Sequence, residues 1–253
     1  MTGAVDPALF YTGLVAQLYG PLRSTGAPDP APYARFVERA GQPALELGCG
    51  DGDPLLDLLA LGLDVEGLDS SPDMLDRCRT RAAERGLDVV VHLQPMESMQ
   101  LERQYRAIFV AGPTFNLLPD DETALRALVR IRAQLAPGGS VLVPLFIPDP
   151  TPAAALGRSR SQISEDGSEM RVTPISESRN EQDRCQTTVL RYEMTTAAGT
   201  EMEERPWTLH WYTQDGIRAL VAAAGLAIVR MLSTAGGPAG ANDTSFALIL
   251  RAA

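Results

Sequence analysis

The stretch Leu45-Glu46-Leu47-Gly48-Cys49-Gly50-Asp51-Gly52 decides the fold of this chain. A short apolar run, Pro43 to Leu47, leads into it, and a leucine-rich segment follows it. Glycines between a strand and a helix let the backbone turn sharply and approach a ligand closely. The helix that follows offers unpaired N–H groups and a partial positive charge. The stretch therefore predicts a ligand site at the edge of an open α/β sheet.

Apolar runs and helical segments alternate on the C-terminal side of this turn. Helices are predicted from Leu55 to Gly62, from Pro72 to Gly86 with Ser71 as the cap, and from Asp121 to about Ala136. The further core strands are predicted at Val65–Leu68, Val89–His92, Ala107–Val110, Ser140–Ile147, Leu226–Leu232 and Thr244–Leu250. This alternation predicts an α/β fold, a parallel sheet with helices on both faces.

The pattern changes after Pro148-Asp149-Pro150. Residues 151–169 are small and polar, which indicates a loop or lid, whereas 170–213 contain segments of high strand propensity. We expect an antiparallel β insertion here, followed by a helix at Asp215–Ala224. The predicted parts are an N-terminal helical segment (1–42), a ligand-binding core (43–150), the insertion (151–213) and a C-terminal part of the core (214–253).

Composition narrows the class of protein. The chain has 253 residues and a formal net charge of −10, which disfavours nucleic acid as a partner. Its three cysteines, Cys49, Cys78 and Cys185, show no CxxC spacing, so neither a metal site nor a disulfide framework is predicted. No signal peptide and no apolar stretch of about 20 residues is present, so we expect a cytoplasmic protein without membrane spans.

The glycine turn fits two cofactor classes unequally. A nicotinamide cofactor would require GxGxxG, but the third position is Asp53, an acid that would face a pyrophosphate. Glu46 ahead of the turn suits the ammonium group of S-adenosylmethionine, which carries no phosphate. Asp69 lies 23 positions after Glu46 (69 − 46) and suits a ribose in either class. The nicotinamide alternative is therefore disfavoured but stays open.

Residues 44–85 resemble motifs I and II of the class I S-adenosylmethionine-dependent methyltransferases. The matching features are the ExGxGxG turn, Gly67-Leu68-Asp69-Ser70-Ser71 and the Pro-x-Met-Leu start of the next helix. The resemblance implies a Rossmann-like seven-stranded mixed sheet in the order 3-2-1-4-5-7-6, with strand 7 antiparallel. It implies S-adenosylmethionine contacts from Tyr19, Tyr33, Glu46, Gly48, Cys49, Gly50, Asp69, Ser70, Met74, Met96, Glu97, Ala111 and Thr114. Tyr19 and Tyr33 would belong to an N-terminal lid.

The sequence indicates less about the methyl acceptor than about the methyl donor. His210, between Leu209 and Trp211 in the insertion, is the candidate general base for a hydroxyl acceptor, whereas an amine needs no base. The layout also resembles N,N-dimethyltransferases of nucleotide-linked amino sugars. We expect methyl transfer to a nitrogen or oxygen of a small molecule. A module that binds the cofactor without catalysis and a homodimer formed through the aromatic insertion stay open.

Overall fold

The computed structural model of the chain describes residues 10–23 and 28–253. Parts of the predicted N-terminal segment, residues 1–9 and 24–27, lie outside the described residues. Within the described ranges, no helix is both long and apolar enough to cross a membrane.

Two sheets organise the chain. The strands are β1 Ala44–Leu47, β2 Val65–Asp69, β3 Val91–Leu93, β4 Tyr105–Val110, β5 Leu135–Phe146, β6 Arg160–Ile163, β7 Glu169–Asn180, β8 Cys185–Thr196, β9 Gly199–His210, β10 Leu226–Ser233 and β11 Ser245–Ala252. The central sheet has the order β10-β11-β5-β4-β1-β2-β3. Its strands are parallel from β3 to β5, whereas β11 is antiparallel to β5 and β10. The predicted Rossmann-like mixed sheet is confirmed.

Helices cover both faces of the central sheet. They are α1 Gly13–Tyr19, α2 Ala31–Ala40, α3 Leu55–Ala60, α4 Pro72–Glu84, α5 Asp121–Gln134 and α6 Gln214–Ala223. Apolar side chains of α2, α3 and α4 pack on one face, and those of α5 and α6 on the other. The Ser71 side chain accepts a hydrogen bond from the Met74 N–H and caps α4, as predicted.

Several strand boundaries differ from the sequence prediction, and those of β3 and β5 show why. β3 is Val91–Leu93 rather than Val89–His92, because pairing with β2 starts only there. β5 begins at Leu135 rather than Ser140, because Leu135 already pairs with β4 ahead of a bulge. Short apolar runs do not reveal such cross-strand pairing, so the positions of the ends are set by the neighbouring strands.

The insertion after β5 forms a four-stranded antiparallel sheet in the order β6-β7-β8-β9, as the sequence predicted. The predicted loop at 151–169 is corrected, because it contains a 3-10 turn at Ala153–Ala155 and the edge strand β6. The N-terminal segment packs against this sheet through one apolar cluster, which consists of Phe10, Leu14, Val15, Leu18, Leu22, Met170, Val172 and Tyr192. The insertion thereby holds α1 in place.

Candidate active site

The glycine turn lies at the carboxyl end of β1, between β2 and β4. Gly48 and Gly50 have φ angles of +69° and +53°, in the left-handed region that favours glycine. A Cβ atom on Gly48 would lie 2.2 Å from the Thr114 Cγ2 atom. The Gly48 N–H donates to the Leu68 carbonyl at 2.7 Å and fixes the turn against β2. Both positions therefore require glycine for a backbone reason.

Glu46 carries a buried carboxyl group at the base of this turn. The residue is 0% exposed, and neither carboxylate oxygen has a hydrogen-bond partner among the described residues. Burial raises the pKa of Glu46 well above its usual range, and the charges of Asp69, Asp53 and Asp51 raise it further. A cation next to this carboxyl group would favour its ionised form and would supply the missing partner.

Asp69 ends β2 beside the turn. Its Oδ2 atom accepts a hydrogen bond from the Gly50 N–H and its Oδ1 atom one from the Ser71 N–H, both at 2.8 Å. Because a carboxylate oxygen accepts two hydrogen bonds, each oxygen keeps one site for a neighbouring hydroxyl, such as those of a ribose. Burial raises the pKa of Asp69 above its usual value, and the backbone N–H groups around it act in the opposite direction.

A pocket opens in front of the glycine turn. Its lining brings together predicted cofactor residues from α1, from α4 and from the carboxyl ends of β1, β2, β3 and β4, namely Tyr19, Gly48, Gly50, Asp69, Ser70, Met74, Met96, Glu97 and Thr114. Residues that the motifs did not indicate line it as well, namely Tyr11, Leu68, Gln94, Pro95, Leu117 and Leu118. Most of this second group follows the ends of β3 and β4, at the sheet edge where α/β folds bind ligands. Their position after predicted strands was the only feature of the sequence that could have indicated these residues.

Two tyrosines of the N-terminal segment cover the pocket. The rings of Tyr11 and Tyr19 meet edge to face with their centroids 5.3 Å apart. The Ser71 hydroxyl donates to the Tyr11 carbonyl at 2.5 Å and ties this segment to the start of α4. Burial raises the pKa of both tyrosines, so both hydroxyls stay protonated at neutral pH. Tyr19 therefore lies where a lid residue was predicted, and Tyr11 lies beside it.

Arg23 connects the N-terminal segment to the glycine turn. Its guanidinium lies 3.1 Å from Asp51 and 3.0 Å from Asp53, and its Cζ atom lies 4.7 Å from the centre of the Tyr19 ring. Arg81 of α4 pairs with the same two carboxylates at 3.0 and 2.7 Å. Asp53, which stands where a dinucleotide fold has its third glycine, is therefore engaged by two arginines.

Besides the buried Glu46, three predicted cofactor residues do not line this pocket. Cys49 is 1% exposed, and its thiol packs into the core beneath the turn. Ala111 is buried, and its carbonyl accepts a hydrogen bond from the Thr114 hydroxyl at 3.1 Å. Tyr33 lies on the face covered by α2, where its hydroxyl accepts a hydrogen bond from the Gly112 N–H at 3.2 Å. These three side chains therefore do not line the pocket, and contacts of these residues with the cofactor stay a prediction.

His210 is buried where β9 meets the start of α5. The residue is 3% exposed, and its Nε2 atom lies 3.0 Å from Asp121, which also pairs with Arg184. The Asn116 amide donates to the His210 carbonyl at 2.9 Å. His210 does not belong to the pocket lining. The structure therefore places the predicted general base at the contact between β9 and α5, outside the lining of the cofactor pocket.

The pocket fits S-adenosylmethionine on two independent features. The buried carboxyl group of Glu46 lacks a partner that the cofactor's ammonium group would supply, and Asp69 keeps acceptor sites for ribose hydroxyls. Among the described residues that line the pocket there is no arginine or lysine, which suits a sulfonium cation better than a pyrophosphate. When bound, the cofactor supplies an activated methyl group on a positively charged sulfur.

The strand order, the glycine turn and the acidic residues around it are those expected of a class I S-adenosylmethionine-dependent methyltransferase. Residues 44–139 match a family described as a methyltransferase domain. The nicotinamide alternative receives no support from the comparisons.

Two relatives and one solved structure show how far the likeness extends. The chain is 28% identical over 94% of its length to a dTDP-3-amino-3,6-dideoxy-alpha-D-glucopyranose N,N-dimethyltransferase of Streptomyces fradiae, and 92% of that enzyme is covered. It is 37% identical to a trans-aconitate 2-methyltransferase of Rhizobium meliloti over 44% of the chain. This matched part covers only 40% of that relative. The structure of the CcbJ methyltransferase from Streptomyces caelestis matches with a TM-score of 0.77 and 23% identity, covering 98% of this chain and all (100%) of that one.

Proposed function

We propose that the protein transfers a methyl group from S-adenosylmethionine to an amino nitrogen of a small molecule, with amino sugars as the first class to test. The observation that carries this proposal is the set of titratable groups around the pocket. They are tyrosines and carboxylates, and no histidine, lysine or arginine belongs to the lining that the described residues form. A neutral amine attacks without a base, whereas a hydroxyl acceptor needs one.

The two carboxylates of the lining are poorly placed to deprotonate an acceptor. Asp69 ends β2 and Glu97 follows β3, whereas Thr114 follows β4, on the other side of β1 in the sheet. Both oxygens of Asp69 already accept backbone hydrogen bonds. A role in holding the nucleoside part suits them better than a role as a base.

Tyr11 and Tyr19 are the groups we assign to positioning of the acceptor. Their protonated hydroxyls can accept a hydrogen bond from an amine N–H and leave the nitrogen lone pair directed at the methyl carbon. The new C–N bond forms as the C–S bond breaks, which gives S-adenosylhomocysteine, and the amine then releases its proton to water. The rings of Tyr11 and Tyr19 over the pocket would shield the reacting atoms from water.

The name of the Streptomyces fradiae relative states a dTDP-linked amino sugar as its substrate, and this supports an amino sugar as the acceptor class. Two arginines of the insertion give less support to a diphosphate anchor. Arg171 pairs with Glu169 at 2.5 Å and Arg179 with Glu181 at 2.5 Å, so both are engaged within the fold. We therefore place the specificity in the amine and not in a diphosphate group.

Matched acceptors test this proposal. 3-Amino-3-deoxyglucose and glucose, each free and as the dTDP-linked form, would be incubated with enzyme and S-adenosylmethionine. We expect S-adenosylhomocysteine, and a product heavier by one or two methyl groups, from the amines alone. Methylation of a hydroxyl would refute the amine preference. Tight cofactor binding with no turnover on a broad panel of amines and hydroxyls would favour a binding module instead.

A further inference from the structure

Among the described residues, no helix covers one face of the β5–β11–β10 half of the central sheet directly. On this face β5 and β11 place Leu142 opposite Ile249 and Pro144 opposite Ala247, while α5 and α6 cover the other face of the same strands. A groove with a volume of about 910 Å³ lies over these residues and is bordered by α2 and β10. Its floor is therefore apolar and open, although strands that are apolar on both faces are normally buried on both.

Arginines line the rims of this groove. Arg35 and Arg39 lie one turn apart on α2, and Arg230 and Arg251 lie on β10 and β11 across the floor. Arg35, Arg39 and Arg230 form no ion pair or hydrogen bond with any described residue, and Arg251 donates only to the Ser140 hydroxyl, at 3.3 Å.

The charge of the groove is the reverse of the charge of the chain. The chain has a formal net charge of −10, yet the groove lining, as far as the described residues form it, contains these four arginines and no aspartate or glutamate. Like charges one helical turn apart repel each other, and apolar surface left in water is unfavourable. A ligand with a negative group and an apolar body would relieve both costs together.

We propose that this groove binds a small amphipathic anion, a carboxylate, sulfonate or phosphate attached to an apolar body. Its volume lies within the usual range for small-molecule sites, roughly 300–1,000 Å³. No described residue lines both this groove and the cofactor pocket. Gly112 and Pro113 line the groove and Thr114 lines the pocket, so the two sites lie on opposite sides of the segment that follows β4.

A pair of dyes with the same skeleton tests this proposal. 8-Anilino-1-naphthalenesulfonate carries a sulfonate that N-phenyl-1-naphthylamine lacks. Both would be titrated into the whole protein with saturating S-adenosylhomocysteine, which keeps them out of the cofactor pocket. We expect one sulfonated dye per chain, bound at least tenfold more tightly than the neutral dye.

Variants locate the dye. Arg39→Gln with Arg230→Gln is expected to weaken the sulfonated dye at least tenfold and to leave the neutral dye within twofold. Arg79→Gln with Arg126→Gln, on exposed arginines of α4 and α5, is the matched control and is expected to change neither. Ala247→Trp, which fills the floor, is expected to exclude both dyes.

Other outcomes would overturn the proposal. Equal affinity for the two dyes would show that the arginines attract no anion, and dye binding that survives Ala247→Trp would place the dye elsewhere. Sedimentation at several protein concentrations gives the remaining outcome. A dimer that the Arg39→Gln and Arg230→Gln pair dissociates would mean that a second copy of the chain covers this face.

Discussion

Replacing Glu46 with glutamine tests two consequences of its buried carboxyl group, which lacks a partner among the described residues. One is the affinity for the cofactor and the other is the stability of the ligand-free protein. Glutamine keeps the shape of the side chain but cannot carry a charge. With cofactor bound, the Glu46 carboxylate would accept a charge-assisted hydrogen bond from the ammonium group, which contributes about 1.5–3 kcal/mol. Because about 1.4 kcal/mol corresponds to a factor of ten, we expect the Kd for S-adenosylmethionine to rise roughly 10- to 150-fold.

The same substitution is expected to stabilise the ligand-free protein. The pKa of Glu46 is raised in the folded state, so the unfolded chain loses this proton at a lower pH than the folded chain does. The wild-type free energy of unfolding therefore falls relative to the variant as the pH rises above the unfolded pKa, about 4.3. The slope is up to about 1.4 kcal/mol per pH unit until the folded pKa is passed. At lower pH the two proteins should be equally stable.

Calorimetric titration with the cofactor at pH 7.5, and urea unfolding without it from pH 4 to 8, measure both effects. Glu84→Gln, on an exposed glutamate at the end of α4, is the matched control and should change neither quantity. A variant that loses stability at pH 8 and keeps its cofactor affinity would refute the reasoning. Glu46 would then be a structural residue whose charge the fold tolerates.

Further substitutions test the glycine turn, the N-terminal segment over the pocket, and the contact between His210 and Asp121. Gly48→Ala should lower the free energy of unfolding in urea by about 2–4 kcal/mol, because the φ angle is positive and the added Cβ would clash. Gly62→Ala is the control. Gly62 also has a positive φ angle, +79°, but open space around it, so we expect a loss of only about 1 kcal/mol. Arg23→Gln should free the lid, which amide hydrogen exchange of residues 10–22 would show as at least tenfold faster exchange. His210→Gln should lower stability by about 1–3 kcal/mol and leave kcat within twofold. A kcat loss above 100-fold with normal stability would restore His210 as the base.

Local sequence determined the parts of the site that depend on the backbone. Gly48 and Gly50 adopt positive φ angles that other residues rarely adopt, so the turn could be recognised without knowledge of its surroundings. Asp69 follows from its place at the end of the second apolar run, and the strand order from the resemblance that these motifs carry. The insertion was recognisable as antiparallel strands because its β propensity is high and shows no helical period.

Only the tertiary structure decided which side chains meet. Tyr33 and Cys49 lie near the turn in sequence but on other sides of the sheet, because α2 packs on one face and the cysteine points into the core. His210 looked catalytic in a strand sequence, yet the register of β9 buries it against Asp121. Helical and strand periods tell which side chains share a face, whereas long-range packing determines what that face contacts. The sequence alone therefore determined the methyl donor's turn, and the packing of lid, insertion and core determined the pocket around it.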